Sequence, residues 1–136
     1  MREDVIARNL DVVHTHITTE AMDVDGVLDL YTDDVVWESP ARGLKFTGKE
    51  AVARNYRATF ASFADVEVQP LARFGNETQV FDDAIVTFTL VGEGFANSPV
   101  PLGTRVALRL LHVFDMRDGK IAREQVFEIW PVQGVA

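Results

Sequence analysis

The sequence predicts an α+β fold in which three N-terminal helices pack on one face of a strongly curved, antiparallel or mixed sheet. In the first half of the chain, apolar residues recur at three- and four-residue steps, as on one face of a helix. In the second half they alternate with polar residues, as in half-buried strands. Helices followed by a run of strands are typical of helices segregated on one face of an antiparallel sheet.

The helical spacing predicts three helices. The first carries Val5, Ile6, Leu10, Val13 and Ile17 on one face. The segment "DVDGVLDLY" suggests a short second helix. The third helix is predicted in "GKEAVARNYRATFASF", just after the turn residue Gly48, and its apolar face comprises Val52, Tyr56, Phe60 and Phe63.

The strand signals begin between the second and third helices. "DVVWES" alternates like a strand and stops at Pro40. After the third helix, the candidate strands are "VEVQPLARF", "TQVF", "AIVTFTLV", "RVALRLLHVF" and "IAREQVFEIW". The segments "FGNE", "DD" and "RDGK" are predicted to be the turns of an antiparallel meander.

Composition narrows the class of protein. A length of 136 residues fits one domain over residues 1–136, with 47% hydrophobic and 25% charged residues. The net charge of −8 argues against binding to nucleic acid, and no apolar run approaches the ~20 residues of a membrane span. No cysteine is present, which excludes disulfides and thiol nucleophiles. The start "MREDVIARNL" has no signal-peptide pattern, so a cytoplasmic location is expected.

The last hairpin, "FDMRDGKIAREQVFEIW", allows two registers. A two-residue turn would pair Arg117 with Lys120 and place Glu124 and Glu128 on a solvated face. A three-residue turn, with Gly119 left-handed, would pair Met116 with Lys120. It would put both glutamates in one apolar row with Val106, Leu108, Leu110, His112, Phe114 and Met116. The second register is favoured because it gives a nearly continuous apolar row against the helices.

In the favoured register His112 faces Glu124 across the hairpin, and Glu128 faces Leu108. Unpaired charges are costly in a dry core, so two carboxylates and an imidazole between sheet and helices indicate a water-filled or ligand-filled cavity. Each residue also has a structural interpretation. His112 could be a hydrogen-bonded core histidine, Glu124 could be at the surface in the other register, and Glu128 could pair only with Arg105 or Arg109.

The segment "LYTDDVVWESPARGLKFTGKEAVARNY", residues 30–56, resembles the ketosteroid isomerases, and "HVFDMRDGKI" resembles the penultimate hairpin of that family. The isomerases belong to the nuclear transport factor 2-like superfamily, with the SnoaL-like polyketide cyclases and limonene epoxide hydrolase. The resemblance implies the cone-shaped α+β fold of that superfamily. It does not by itself assign a reaction, because this fold carries many activities.

The resemblance also shows which catalytic signatures have been replaced. The isomerase aspartate base falls on Ser39, the tyrosine donor at or next to Thr15, and the second donor on His112. Tyr31 and Tyr56 resemble the supporting hydroxyls of the isomerases. The polyketide cyclase pattern "EHWD" has Glu124 and Val126 in place of its histidine and aspartate, and the relay positions of limonene epoxide hydrolase fall on Leu110 and His112.

The predicted catalytic residues are His112 as general acid and base, Glu124 as its orienting partner, and Glu128 or Tyr56 as a second polar contact. The predicted pocket wall comprises Thr15, Tyr31, Trp37, Ser39, Tyr56, Phe88, Leu110, Val126 and Trp130. His14 and His16 are two residues apart on a helix, so they face different ways and do not predict a metal site.

The leading hypothesis is a cofactor-free enzyme, an isomerase, lyase, cyclase or hydrolase, acting on a small, hydrophobic, oxygen-bearing molecule. The alternative is a non-catalytic ligand-binding or protein-interaction module of the same fold. A homodimer is expected through the outer sheet face, since that face mixes apolar and charged residues. Its residues are Leu111, Val113, Ile121, Phe127 and Ile129, among Arg105, Arg109, Arg123 and Gln125.

Overall fold

A computed structural model describes residues 1–20 and 23–131, and it confirms the α+β fold. Its helices are α1 (Arg2–Thr19), α2 (Val24–Val27) and α3 (Lys49–Ala61). Its strands are β1 (Tyr31–Ser39), β2 (Leu44–Thr47), β3 (Phe63–Gly75), β4 (Gln79–Leu90), β5 (Arg105–Arg117) and β6 (Lys120–Ile129). Single 3₁₀ turns lie at Leu28–Leu30 and Pro40–Arg42. Within the described residues, no helix is long and apolar enough to cross a membrane.

The six strands form one mixed sheet in the order β2-β1-β6-β5-β4-β3. The pairing of β1 with β6 is parallel, and every other neighbouring pair is antiparallel. The short strand β2 has no counterpart among the predicted strands. It returns along β1 after the Pro40–Arg42 turn, where Gly43 takes a left-handed conformation with φ of 67°.

Helix α1 packs through one face, on which Asn9, Val13 and His16 are buried. These positions follow the three- and four-residue spacing that the sequence predicts. The Asn9 amide donates hydrogen bonds to the carbonyls of Asn76 and Glu77, at 3.2 and 3.0 Å, and so joins α1 to the β3–β4 turn.

The predicted second helix is shorter than "DVDGVLDLY". Asp23 caps α2 by accepting a hydrogen bond from the Gly26 amide at 2.9 Å, and the helix gives way to a 3₁₀ turn at Leu28. Tyr31 is therefore the first residue of β1.

The predicted turn at "DD" is wrong, since Asp82 and Asp83 lie inside β4. "TQVF" and "AIVTFTLV" form one continuous strand. Each aspartate is compensated in the strand by a cation from a neighbouring strand. Asp82 accepts from Arg73 at 2.8 Å, and Asp83 pairs with Arg109 at 2.6 Å.

The predicted three-residue turn of the last hairpin is also wrong. Asp118 and Gly119 form a two-residue turn, with φ of 52° and 76°, and Arg117 pairs with Lys120. An extra residue, Ala122, is then inserted between the Met116–Ile121 and Asp115–Arg123 pairs.

This bulge changes the residue pairs in the hairpin, and it returns Glu124 and Glu128 to the helix-facing side of the sheet. Glu124 faces Phe114, His112 faces Val126, and Glu128 faces Leu110, so the predicted His112–Glu124 and Leu108–Glu128 pairs are wrong by two positions. A shift of two residues keeps side chains on the same side of a sheet, and both glutamates point toward the helices. Ile121, expected on the outer face, is fully buried against the helices.

Candidate functional site

A cavity of about 140 Å³ lies between α3 and the helix-facing side of the sheet. Eight of the twelve predicted site residues line it: Trp37, Tyr56, Phe88, Leu110, His112, Glu124, Val126 and Glu128. Most of the wall is apolar. The ionisable side chains form two groups, one around Glu124 and the other around Glu128. The two glutamates are four residues apart on β6, so their side chains share one face of the strand.

The other four predicted wall residues do not line the cavity. Thr15 is exposed on the outer side of α1, because the inward position is taken by the next residue, His16. Tyr31 is fully buried, with its hydroxyl 3.3 Å from His16 Nδ1. Ser39 and Trp130 both donate hydrogen bonds to Glu128, at 2.9 and 3.0 Å.

Glu124 is the centre of the first polar group, which we call the Glu124 cluster: His16, Glu20, Tyr56, His112 and Glu124. Its Oε1 accepts a 2.5 Å hydrogen bond from the Tyr56 hydroxyl and lies 3.3 Å from His16 Nε2. The same His16 nitrogen is 2.8 Å from Glu20 Oε2, one helical turn further along α1. His16 and Glu20 were not among the predicted site residues. Two features of the sequence point to them. His16 and Glu20 are four residues apart, and His16 follows Thr15, the position near which the isomerase tyrosine donor falls.

Electrostatics hold this cluster in a charged state. Burial lowers the pKa of His16, but the carboxylates of Glu20 and Glu124 outweigh burial and raise that pKa to about 10. Burial raises the pKa of Glu124, yet His16, His112 and the Tyr56 hydroxyl together bring it below the usual glutamate range. Burial, reinforced by the neighbouring Glu124, raises the pKa of Tyr56. At neutral pH the cluster therefore contains an imidazolium, an ionised Glu124 and a neutral phenol.

His112 is held much more loosely than His16. Its Nε2 lies 3.7 Å from Glu124 Oε2, and its Nδ1 lies 4.0 Å from Asp82 Oδ2. Neither distance is a hydrogen bond, and Nδ1 has no hydrogen-bond partner among the described residues. The ring is stacked on Phe114, with centroids 5.6 Å apart, and 13% of the side chain is exposed. His112 is thus an imidazole placed between two carboxylates without being tied to either.

Asp82 extends this polar arrangement toward the surface. It lines the cavity, and its Oδ1 accepts a hydrogen bond from Arg73 Nε at 2.8 Å. A second Arg73 nitrogen lies 2.9 Å from Nδ1 of the exposed His14. The carboxylate of Asp82 therefore has a cationic partner on the side away from His112.

Glu128 belongs to a second group, which we call the Arg42 cluster: Ser39, Arg42, Glu128 and Trp130. Arg42 Nε lies 2.9 and 3.0 Å from the two carboxylate oxygens, and the side chains of Arg42 and Glu128 are 3% and 2% exposed. Burial lowers the pKa of Arg42, and Glu128 opposes that shift. Ser39 and Trp130 complete the carboxylate contacts.

Sequence reasoning missed Arg42, and its structural alternative for Glu128, a pair with Arg105 or Arg109, is wrong. Both of those arginines lie on the outer face, where Arg109 pairs with Asp83 and Arg105 donates to the Asp65 carbonyl at 2.8 Å. Arg42 follows Pro40 in a 3₁₀ turn, and that turn directs its guanidinium inward. The guanidinium also donates to the Ala96 carbonyl at 2.9 Å and lies 3.9 Å from the Phe95 ring centroid.

The described residues do not contain a group of three or more His, Cys, Asp or Glu side chains placed to hold a metal ion. The chemistry that these side chains can supply is proton transfer. The His112 imidazole can accept or donate a proton, and the ionised Glu124 lies 3.7 Å from its Nε2.

The family model of the SnoaL-like domain matches residues 12–124 of this chain. That range contains β1 to β5, the three helices except the start of α1, and β6 up to Glu124. No protein of curated function matches the chain by sequence.

Solved structures with the same fold include a candidate SnoaL-like polyketide cyclase from Jannaschia sp. CCS1. It is 20% identical, with a TM-score of 0.78, over 94% of this chain and 90% of that one. A phenazine biosynthesis-related protein from Pseudomonas aeruginosa is 17% identical, with a TM-score of 0.78, over 98% and 92% of the two chains. An LEH-like epoxide hydrolase from M. tuberculosis is 18% identical, with a TM-score of 0.70, over 91% and 84%. At these identities the likeness shows the cone-shaped fold of the nuclear transport factor 2-like superfamily.

Proposed function

Because this chain belongs to the SnoaL-like domain family, we propose that it is an enzyme performing acid–base chemistry on a small, hydrophobic, oxygen-bearing molecule in the cavity. The observation that carries the proposal is the position of His112, on the cavity wall between two carboxylates and hydrogen-bonded to neither. A histidine whose hydrogen bonds are already made has a structural role, whereas one with a free ring nitrogen can exchange a proton with a substrate.

In this proposal Glu124 is a positioning residue. The Tyr56 hydroxyl and His16 hold its Oε1, so Oε2 is left to face His112 Nε2. An ionised carboxylate 3.7 Å from Nε2 favours the tautomer that carries its proton on that nitrogen. In this scheme the His112 ring accepts a proton from the substrate and later returns it.

Glu128 has a different role in this proposal. Its oxygens already accept from Arg42, Ser39 and Trp130, so it has little capacity left to transfer protons. We propose that it holds Arg42 in place and thereby shapes the wall of the cavity near Phe95.

The cavity and the named relatives support the proposed reaction class. A mostly apolar wall with one loosely held imidazole suits an isomerase, a lyase or cyclase, or a hydrolase, and the relatives include a candidate polyketide cyclase and an epoxide hydrolase. The substrate classes that we propose are therefore polyketides and terpenoids bearing a carbonyl or an epoxide. No organic cofactor enters this scheme, and the cytoplasmic location remains a prediction that cell fractionation would test.

Steroid isomerisation is not part of the proposal. The position of the isomerase base is occupied by Ser39, whose hydroxyl donates to Glu128 and is far too weak a base near neutral pH. We expect Δ5-3-ketosteroids to remain unconverted above the buffer background.

A non-catalytic binding module is the second candidate, and one observation favours it. Of the three glutamates that line the cavity, Glu124 is held ionised beside His16, and Glu128 accepts hydrogen bonds from Arg42, Ser39 and Trp130, so these two have little capacity left for proton transfer. Such a cavity could bind a ligand without transforming it.

The test is turnover of a panel of epoxides and polyketide-like β-diketones by the wild type and by His112→Gln. Loss of the imidazole should reduce kcat/KM by a factor of about 10²–10⁴. Lys45→Gln, an exposed change on β2, serves as the matched control. Binding of panel members without any conversion would favour the binding module, and full activity of His112→Gln would contradict the proposed role of His112.

A further inference from the structure

Helix α3 presents two polar side chains to the cavity that the acid–base scheme does not use. Asn55 and Thr59 lie four residues apart, one turn along the same helical face, and both line the cavity. The Asn55 side-chain nitrogen and the Thr59 hydroxyl have no hydrogen-bond partner among the described residues. Asn55 is only 7% exposed.

The missing hydrogen bond of Thr59 contrasts with other hydroxyl side chains in this protein. On α1, the Thr18 hydroxyl donates to the carbonyl four residues earlier at 2.8 Å, and just after α3 the Ser62 hydroxyl does the same at 2.8 Å. Thr59 could satisfy its hydroxyl in this way but does not. A buried polar group without a partner is unfavourable, and this cost is removed if a ligand in the cavity supplies the partner.

The charges around the cavity indicate what kind of ligand this is. Among the described lining residues, the carboxylates are Glu20, Asp82, Glu124 and Glu128, and each has a cationic partner. The one lining arginine, Arg42, is paired with Glu128. Among the described lining residues, no unpaired arginine or lysine is therefore placed to bind an anionic substrate. An uncharged molecule, in contrast, would contact an apolar wall with a few hydrogen-bonding groups.

We infer that Asn55 and Thr59 form a subsite on α3 that binds an oxygen atom of an uncharged, largely apolar substrate. The Asn55 amide and the Thr59 hydroxyl donate to that oxygen. This inference rests on the proposed function, because it names the class of molecule that the cavity binds. In this arrangement α3 binds the substrate oxygen, and His112 on β5 transfers the proton.

The experiment compares two probes of nearly the same shape, 1-indanone and indane, which differ by one carbonyl oxygen. Binding to wild-type protein is measured from ligand-induced shifts of backbone amide signals in NMR spectra. A net hydrogen bond contributes about 1 kcal/mol, so 1-indanone should bind roughly five- to tenfold more tightly than indane. Asn55→Leu and Thr59→Val should each reduce this preference, and the double variant should abolish it.

Thr87→Val, on the outer side of β4, is the matched control and should keep the preference. The melting temperatures add a second measurement. Since the replaced atoms have no partner in the protein, Thr59→Val should melt at the same temperature as the wild type or higher. A structural role for the hydroxyl would instead lower the melting temperature.

The inference is overturned if the double variant keeps the preference for 1-indanone, or if wild-type protein binds 1-indanone no better than indane. The proposed function fails in a different way. A protein that prefers 1-indanone through Asn55 and Thr59 but converts no member of the substrate panel would contradict the enzyme and leave the subsite in place.

Discussion

The Tyr56 hydroxyl and the Glu124 carboxylate are joined by a 2.5 Å hydrogen bond inside the layer between α3 and the sheet. Glu124 is 1% exposed, and its other close partner is the imidazolium of His16. Residues from α3, β6 and α1 therefore meet at one buried carboxylate. The energetics of this contact lead to the first two predictions.

Removing the charge of Glu124 should destabilise the protein substantially. In Glu124→Gln, the buried His16 imidazolium keeps only Glu20 as a carboxylate partner, and loss of one member of a buried ion pair costs about 3 kcal/mol or more. Urea denaturation measures the change in the free energy of unfolding. The control is Asp34→Asn, which breaks the exposed pair with Arg117 and should leave the free energy of unfolding almost unchanged. Equal losses in the two variants would mean that Glu124 is not the buried partner of His16.

His16 should make stability fall on the alkaline side of neutrality. Its folded-state pKa of about 10 is above the ordinary value of 6.5, so the stabilisation is fully present below pH 6.5 and is lost as pH rises to about 10. Each pKa unit corresponds to about 1.4 kcal/mol, so the wild type should lose several kcal/mol over this interval. Urea denaturation at steps from pH 6 to pH 10 gives the profile.

The matched variant for this profile is His16→Gln, which should be less stable at pH 6 and should show a much flatter curve. An unchanged slope in His16→Gln would assign the pH dependence to other groups. NMR titration of the His16 ring gives an independent reading, with an expected midpoint near 10.

The Arg42–Glu128 pair should behave as a coupled buried unit. Arg42→Leu and Glu128→Leu should each cost about 3–5 kcal/mol, because each leaves an unpaired buried charge. The double variant should cost less than the two single changes together, since no charge is left behind. A double-mutant cycle by urea denaturation measures the coupling, with the exposed Asp34–Arg117 pair as reference. Additive costs at Arg42 and Glu128 would contradict the buried pair.

The outer face of the sheet should form a homodimer. Phe127 and Ile129 are 38% and 55% exposed there, and Phe74 is 62% exposed further along the sheet, with the Asp83–Arg109 pair on the same face. Light scattering at tens of micromolar should give about twice the chain mass of 15.2 kDa. Phe127→Arg should shift the mass toward the monomer, while Lys45→Gln should not. A monomer mass for the wild type would exclude this assembly.

Much of the fold follows from local patterns in the sequence. The helical spacing of Val13, Val52 and Tyr56 and the alternation in β4, β5 and β6 predict the layers correctly, because a side chain's position along its own element decides which way it points. The apolar row on β5 also indicates that Glu124 and Glu128 face the helices, and the structure places them there.

The register of the last hairpin is different, since the sequence allows two turns. The type of turn and the bulge at Ala122 depend on which side chains the whole sheet can bury. Ile121 reaches the core only because the turn has two residues, and Glu124 returns to the same face only because Ala122 is inserted. A local pattern contains the period of a strand but not the position at which that period is interrupted.

The sequence by itself therefore determined the α+β layers, the acidic net charge and the side of the sheet that carries His112, whereas the face of Glu124 and Glu128 depended on the bulge at Ala122. Only the tertiary structure decided which partners those residues have. The partners of Glu124 come from α1 and α3, and the partner of Glu128 comes from the turn after β1, so each contact joins residues 68 to 108 positions apart in the chain. Charge pairing in a buried site depends on distances of a few ångströms between such distant segments, and one-dimensional spacing does not contain those distances.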